Sequence, residues 1–147
     1  MKSSTGSEQL FVDTWGWLVL ANDRDPSFGP VADLRRQSAE SGQLWVTTDY
    51  VLDETITRLF AGTPFARAQS FCDAIFQSQR LGVLVLEPIT AERFQRAYKL
   101  RLRYRDKPRI SFTDLTSFTV MRELGIRRVL TAGTHFPQAG LGFQCLP

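Results

Sequence analysis

Four short apolar runs recur along this chain: "QLFVD" (9–13), "LWVTT" (44–48), "VLVLEP" (83–88) and "RRVLTA" (127–132). Each is too short for a buried helix and is bounded by polar or turn-forming residues, so each reads as a strand covered on both faces. "GFQCL" (142–146) is a candidate fifth. The stretches between them carry apolar residues at helical spacing. Strands alternating with helices predict an α/β chain with a parallel sheet of about four to five strands sandwiched by helices in three layers.

The intervening helices have their own punctuation. "TWGWLVLAN" reads as helical despite Gly16, "DRDPSFGP" as a loop, and "VADLRRQSAESG" as a helix ended by Gly42. "DYVLDETITRLFAG" places Leu52, Ile56, Leu59 and Phe60 on one face, with Gly62 past its end. "TPFARAQSFCDAIFQSQRLG" starts with Pro64 in its first turn. "TAERFQRAYKLRLRY" opens at a Thr90 cap with an apolar face of Phe94, Ala97, Tyr98 and Leu102, and "SFTDLTSFTVMRELG" closes at Gly125. Core packing is the expected use of Trp15 and Trp17.

Residues 1–8 begin "MKSSTGSE", a Ser/Thr/Gly-rich tail with no apolar signal-peptide core, and residues 9–147 are expected to form one domain. With 43% hydrophobic and 12% aromatic residues the chain can bury a sizeable core. No apolar run reaches the roughly 20 residues that span a bilayer. Cys72 and Cys145 have no metal-ligand spacing and are expected to be reduced core residues of a cytoplasmic protein. The net charge of +3 is a mild basic bias, compatible with a polyanionic partner.

In a doubly wound sheet the strand C-termini and the first turns of the following helices share one edge, where ligands bind. Asp13 ends the first strand. Asp114 sits in the first turn after a Ser111 cap, and Glu54 about a turn and a half into its helix. Each has a structural explanation: Asp13 as a helix cap, Glu54 as the i, i+4 partner of Arg58, Asp114 as part of an approximate capping box. The shared edge adds that Asp13 and Asp114 converge, with Glu54 farther from that edge. Clustered carboxylates stay ionised together only if a cation neutralises them. An all-oxygen donor set suits Mg²⁺ or Mn²⁺ rather than zinc. The chain has one His, which leaves no competing His/Cys site. Lys99, Arg101, Arg103, Arg105, Lys107 and Arg109 form a basic segment suited either to RNA phosphates or to a solvated helix end.

"LFVDTWGWL", "WVTTDYVLDETITRL", "ISFTDLTSFTVMRELGI" and "VLTAGTHF", in that order, resemble the successive motifs of PIN-domain proteins, the group that includes VapC-type toxin ribonucleases. The resemblance runs from about Leu10 to Cys145. It implies a metal-dependent endoribonuclease with Asp13, Glu54 and Asp114 as catalytic and metal-holding acids, leaving 3′-hydroxyl and 5′-phosphate ends. It also implies a homodimer and a small antitoxin partner. The departure lies in "VLTAGTHF": the family often carries a fourth acid where this chain has Gly133. Three acids then hold the metal alone, or Asp49, Asp53 or His135 substitutes, or the protein binds RNA without cutting it. Thr14 and Thr131 are candidate positioning residues, as is His135. A phosphatase or receiver domain fits less well, because no second Asp follows two residues after Asp13 and no Lys ends a later strand.

Overall fold

The computed structural model describes residues 8–147. The tail expected over residues 1–8 lies outside the described residues except for Glu8, whose carbonyl accepts a hydrogen bond from Gln43 Nε2. The elements run β1 (Leu10–Val12), α1 (Thr14–Leu20), α2 (Phe28–Ser41), β2 (Trp45–Thr48), α3 (Asp49–Gly62), α4 (Phe65–Arg80), β3 (Leu84–Glu87), α5 (Ala91–Arg103), α6 (Phe112–Leu124), β4 (Arg128–Leu130), α7 (His135–Gln138) and β5 (Gln144–Leu146). The sheet is parallel throughout, in the order β3-β2-β1-β4-β5. The chain therefore steps outward from β1 to β2 and β3, then returns to the other side of β1 for β4. That reversal puts the topological switch point between β1 and β4.

Leu10, Phe11 and Val12 are fully buried, as a strand covered on both faces requires. Trp45, Phe11, Phe118 and Phe136 are the largest fully buried side chains. Each contributes roughly 1.5–3 kcal/mol relative to exposure. Trp17 is buried and donates from Nε1 to Thr47 Oγ1 at 3.3 Å. Both cysteines are free thiols; Cys72 is buried and Cys145 half-buried.

Gly16 keeps α1 close to the sheet. A Cβ added there would lie 2.8 Å from Leu130 Cδ2 and 2.9 Å from Val12 Cγ1. Gly16→Ala is expected to lower stability by about 2 kcal/mol through overpacking, read as a fall in the urea midpoint at constant slope. An unchanged midpoint would mean that Leu130 yields freely.

Several details depart from the sequence reading. Pro64 precedes α4 as its N-cap residue rather than lying in its first turn. The short α7 was not expected. Helix α2 starts at Phe28, before Pro30, because a proline in the first turn lacks only an N–H that has no partner there. Gly62 is the last residue of α3 rather than the residue after it. The last is the rotation of α5. Arg93, Ala97 and Leu100 face inward, whereas Phe94, Tyr98 and Leu102 face solvent. Arg93 sets that rotation: its guanidinium lies 2.9 Å from Glu87 Oε1 and 2.6 Å from Glu123 Oε2, and donates to the Pro88 carbonyl at 2.8 Å. A buried arginine so fully paired outweighs the apolar periodicity of a short helix.

Candidate active site

Asp13 follows β1 and occupies the N-cap position of α1, yet its side chain makes no capping bond to that helix. Its Oδ2 instead accepts a hydrogen bond from Thr131 Oγ1, just past β4, at 2.9 Å. Gly133 N–H donates to the same Thr131 oxygen at 3.3 Å, which leaves the hydroxyl proton for Asp13. The two strand ends that flank the switch point are thus joined through this acid.

Asp114 lies where the Ser111 cap puts it, with its N–H donating to Ser111 Oγ at 3.1 Å. Its Oδ2 is 2.6 Å from His135 Nδ1. His135 is held by α7, whose next residue, Phe136, is fully buried against Phe118 and Phe143 at ring separations of 4.9 and 5.8 Å. Glu54 is the outer acid. Its Oε1 accepts from Thr14 Oγ1 at 3.2 Å, and its Oε2 is 3.7 Å from Arg58 Nη1. Each of the three acids thus has one oxygen held by a neighbouring hydroxyl or imidazole.

The electrostatics single out Asp13. Burial, then the Asp114 carboxylate, lift its carboxyl from the ordinary 3.8 to about 6; Glu54 adds to the rise, and the Thr14 amide and Thr131 hydroxyl oppose it. Among the described residues no cationic side chain pairs with Asp13. This is uncompensated negative charge on hard oxygen donors, the chemistry that Mg²⁺ or Mn²⁺ matches. Among the described residues no three Asp, Glu, His or Cys side chains stand within common reach of one ion. The donor set fits a divalent cation in kind, and sharing one ion would require the carboxylates to stand closer together than they do here.

Compared with known proteins, the chain is 34% identical over 132 residues to the 23S rRNA-specific endonuclease VapC20 of Mycobacterium tuberculosis, a match that takes in 89% of this chain and 94% of that protein. The chain belongs to the VapC family of PIN-domain proteins. The crystal structure of M. tuberculosis VapC20, described as a sarcin-ricin loop cleaving toxin, superposes with a TM-score of 0.73 at 31% identity, covering 89% of this chain and 95% of that one. VapBC2 from Rickettsia felis, solved with a DNA fragment from its promoter, shares the fold at a TM-score of 0.70 and 15% identity over 94% of this chain and 97% of that one. No family model matches the chain. The VapC fold agrees with the parallel, helix-flanked sheet read from the sequence.

Asp49 Oδ1 accepts from the backbone N–H of Ile89 at 2.9 Å and of Tyr50 at 3.1 Å, tying α3 to the start of the β3–α5 connection. Asp53 is exposed. In the basic segment, Arg101 turns inward: its guanidinium donates to the carbonyls of Ile110, Tyr104 and Lys107 at 2.5, 2.8 and 2.7 Å. Its guanidinium braces the loop leading to Asp114. Lys107 pairs with Asp106 at 2.9 Å. Arg103, Arg105 and Arg109 are exposed, without an acidic partner among the described residues. A Cβ at Gly133 would meet only Thr131 Oγ1, at 3.8 Å, so the position has room for a side chain.

Proposed function

We propose that this chain hydrolyses RNA phosphodiester bonds as the toxin of a toxin–antitoxin pair, with Asp13, Glu54 and Asp114 holding Mg²⁺ or Mn²⁺. The observation that carries the reading is Asp13: an acid at the switch point, raised to about 6, facing two more acids and lacking a cationic partner. Such an arrangement is costly unless a cation or its equivalent occupies it. The likeness to an endonuclease over nearly the full length supports the reaction class. In the same reading the chain acts in the cytoplasm as a homodimer restrained by a small antitoxin; the VapBC2 neighbour supports the pairing only through its fold. No helix among the described residues is long and apolar enough to cross a membrane.

A divalent cation supplies Lewis acidity toward a phosphate oxygen and toward the attacking water. The chain's own residues do the positioning. Thr131 bonds Asp13, His135 bonds Asp114, and Thr14 bonds Glu54, so each acid is oriented through one of its oxygens, while the second oxygen of Glu54 lies beside Arg58. Arg103, Arg105 and Arg109 attract the phosphate backbone without reading sequence.

A second reading, an RNA-binding module that does not cut, is favoured by Gly133 in place of a fourth acid. One experiment separates the two. End-labelled single-stranded RNA is incubated with purified chain in Mn²⁺, in EDTA, and in EDTA followed by excess Mn²⁺. Cleavage to 5′-phosphate and 3′-hydroxyl ends, lost with EDTA and restored by Mn²⁺, is the expected result. RNA binding without cleavage under any of these conditions decides for the module.

A further inference from the structure

We infer that Arg58 is a positioning residue that competes with the divalent cation for Glu54, and so sets how tightly the cation is held. This rests on the reading of Asp13, Glu54 and Asp114 as the cation-holding acids, and adds what restrains the third of them.

Glu54 keeps different company from the other two acids. Among the described residues Asp13 has no cationic side chain within ion-pair distance, and Asp114 has only the imidazole of His135. Glu54 alone of the three faces a guanidinium, a cation that does not deprotonate in proteins. Arg58 Nη1 stands 3.7 Å from its Oε2, while its Oε1 accepts from Thr14 Oγ1 at 3.2 Å. Both oxygens are therefore engaged, and from opposite directions. Thr14 follows Asp13 at the strand end; Arg58 lies one turn farther along α3, away from the strand ends. Glu54 also lifts the Asp13 carboxyl less than Asp114 does. Among the described residues no three metal-ligating side chains stand within common reach of one ion. Glu54 is the acid whose engagement with a fixed charge accounts for that spacing.

The pair can open. Its two side chains are 59% and 44% exposed, against 9% and 34% for Arg93 with Glu123. An exposed i, i+4 pair contributes little to stability and exchanges its partner for water readily, whereas a pair with a buried member stays closed. Among the described residues Arg58 has no second acid to turn to. A divalent ion carries twice its charge and takes the carboxylate, but less tightly than if position 58 were neutral. Methionine there is unbranched, helix-favouring and uncharged, so it removes the competitor and leaves α3 intact.

The test follows Mn²⁺ binding by water-proton relaxation, which reads weak as well as tight sites. It compares the intact chain, Arg58→Met, Arg58→Lys, Glu54→Gln and the double variant of Arg58→Met with Glu54→Gln, with urea unfolding in EDTA to establish that each is folded. Arg58→Met is expected to bind Mn²⁺ about fivefold more tightly than the intact chain. Arg58→Lys keeps a cation four residues after Glu54 and stays near the intact chain. In the Glu54→Gln background the loss of Arg58 changes the affinity little, because no carboxylate is left to compete for. Unchanged or weaker Mn²⁺ binding in Arg58→Met overturns the inference alone. So does equal tightening in both backgrounds, which makes Arg58 a charge acting on the ion through space. An intact chain that binds no Mn²⁺, or a Glu54→Gln chain that binds it as tightly as the intact one, overturns the three-acid reading and the inference together.

Discussion

Asp13→Asn is expected to reduce RNA cleavage about a thousandfold or more, and at the same time to make the metal-free protein more stable at neutral pH. The first effect follows from losing the central charged ligand of the proposed cation, an interaction of several kcal/mol in the transition state, where each 1.36 kcal/mol is tenfold in rate. The second follows from the raised carboxyl. In the unfolded chain Asp13 ionises near 3.8; in the fold it does so near 6. Between those values the native state holds a proton that the unfolded state has released, so stability falls as pH rises through that window and stays lower above it. The penalty at pH 8 is about 3 kcal/mol at most. Asparagine cannot ionise and escapes it.

Urea unfolding of both chains in EDTA should therefore show the asparagine variant ahead at pH 8 and the gap closing by about pH 4. Added Mn²⁺ should stabilise the natural chain and leave the variant nearly unmoved. A variant that cuts RNA as well as the natural chain would remove Asp13 from the chemistry. A variant less stable at pH 8 would mean that the Thr131 bond to Asp13 matters more to the fold than the burial of the charge.

Gly133→Asp is expected to bind Mn²⁺ about a hundredfold more tightly than the natural chain. A carboxylate near a doubly charged ion gains several kcal/mol even at an effective dielectric of about 20, part of it cancelled by repulsion from the acids already there. Nothing but Thr131 Oγ1 lies near the added carbon, so the side chain enters without displacing packed atoms. The same charge raises the Asp13 carboxyl further and weakens the metal-free fold at neutral pH. Titration calorimetry with Mn²⁺ on the natural chain, Gly133→Asp and Gly133→Ala isolates the charge, because alanine shares the backbone change without it. Equal affinities for all three would mean that position 133 does not face the cation.

The strands were legible in the sequence because parallel strands buried on both faces leave continuous apolar runs such as "LFV" and "LWVTT". The caps at Thr90 and Ser111 were legible because hydroxyl-led helix starts are local chemistry, and both accept the expected N–H, from Arg93 and Asp114. The face of α5 was not. Its apolar stripe has the spacing of a core face, and only the tertiary pairing of Arg93 with Glu87 and Glu123, from two other elements, turns it outward. Helix α7 was missed for another reason: four residues containing Pro137 carry no periodicity, and the element exists because Phe136 is sealed under Phe118 and Phe143. The grouping of Asp13 with Asp114 was readable from topology alone. That Asp13 takes its bond from Thr131 instead of capping α1 required the register of β1 beside β4.

That register also governs when the group of acids comes together. The bond between Asp13 and Thr131 joins positions 118 residues apart, and β1 stays without one of its two neighbours until β4 has been made. Contacts this distant are closed late in folding. On a ribosome the nascent polypeptide carries Asp13 without its Thr131 partner through most of translation, and the acids come together only once β4 has emerged.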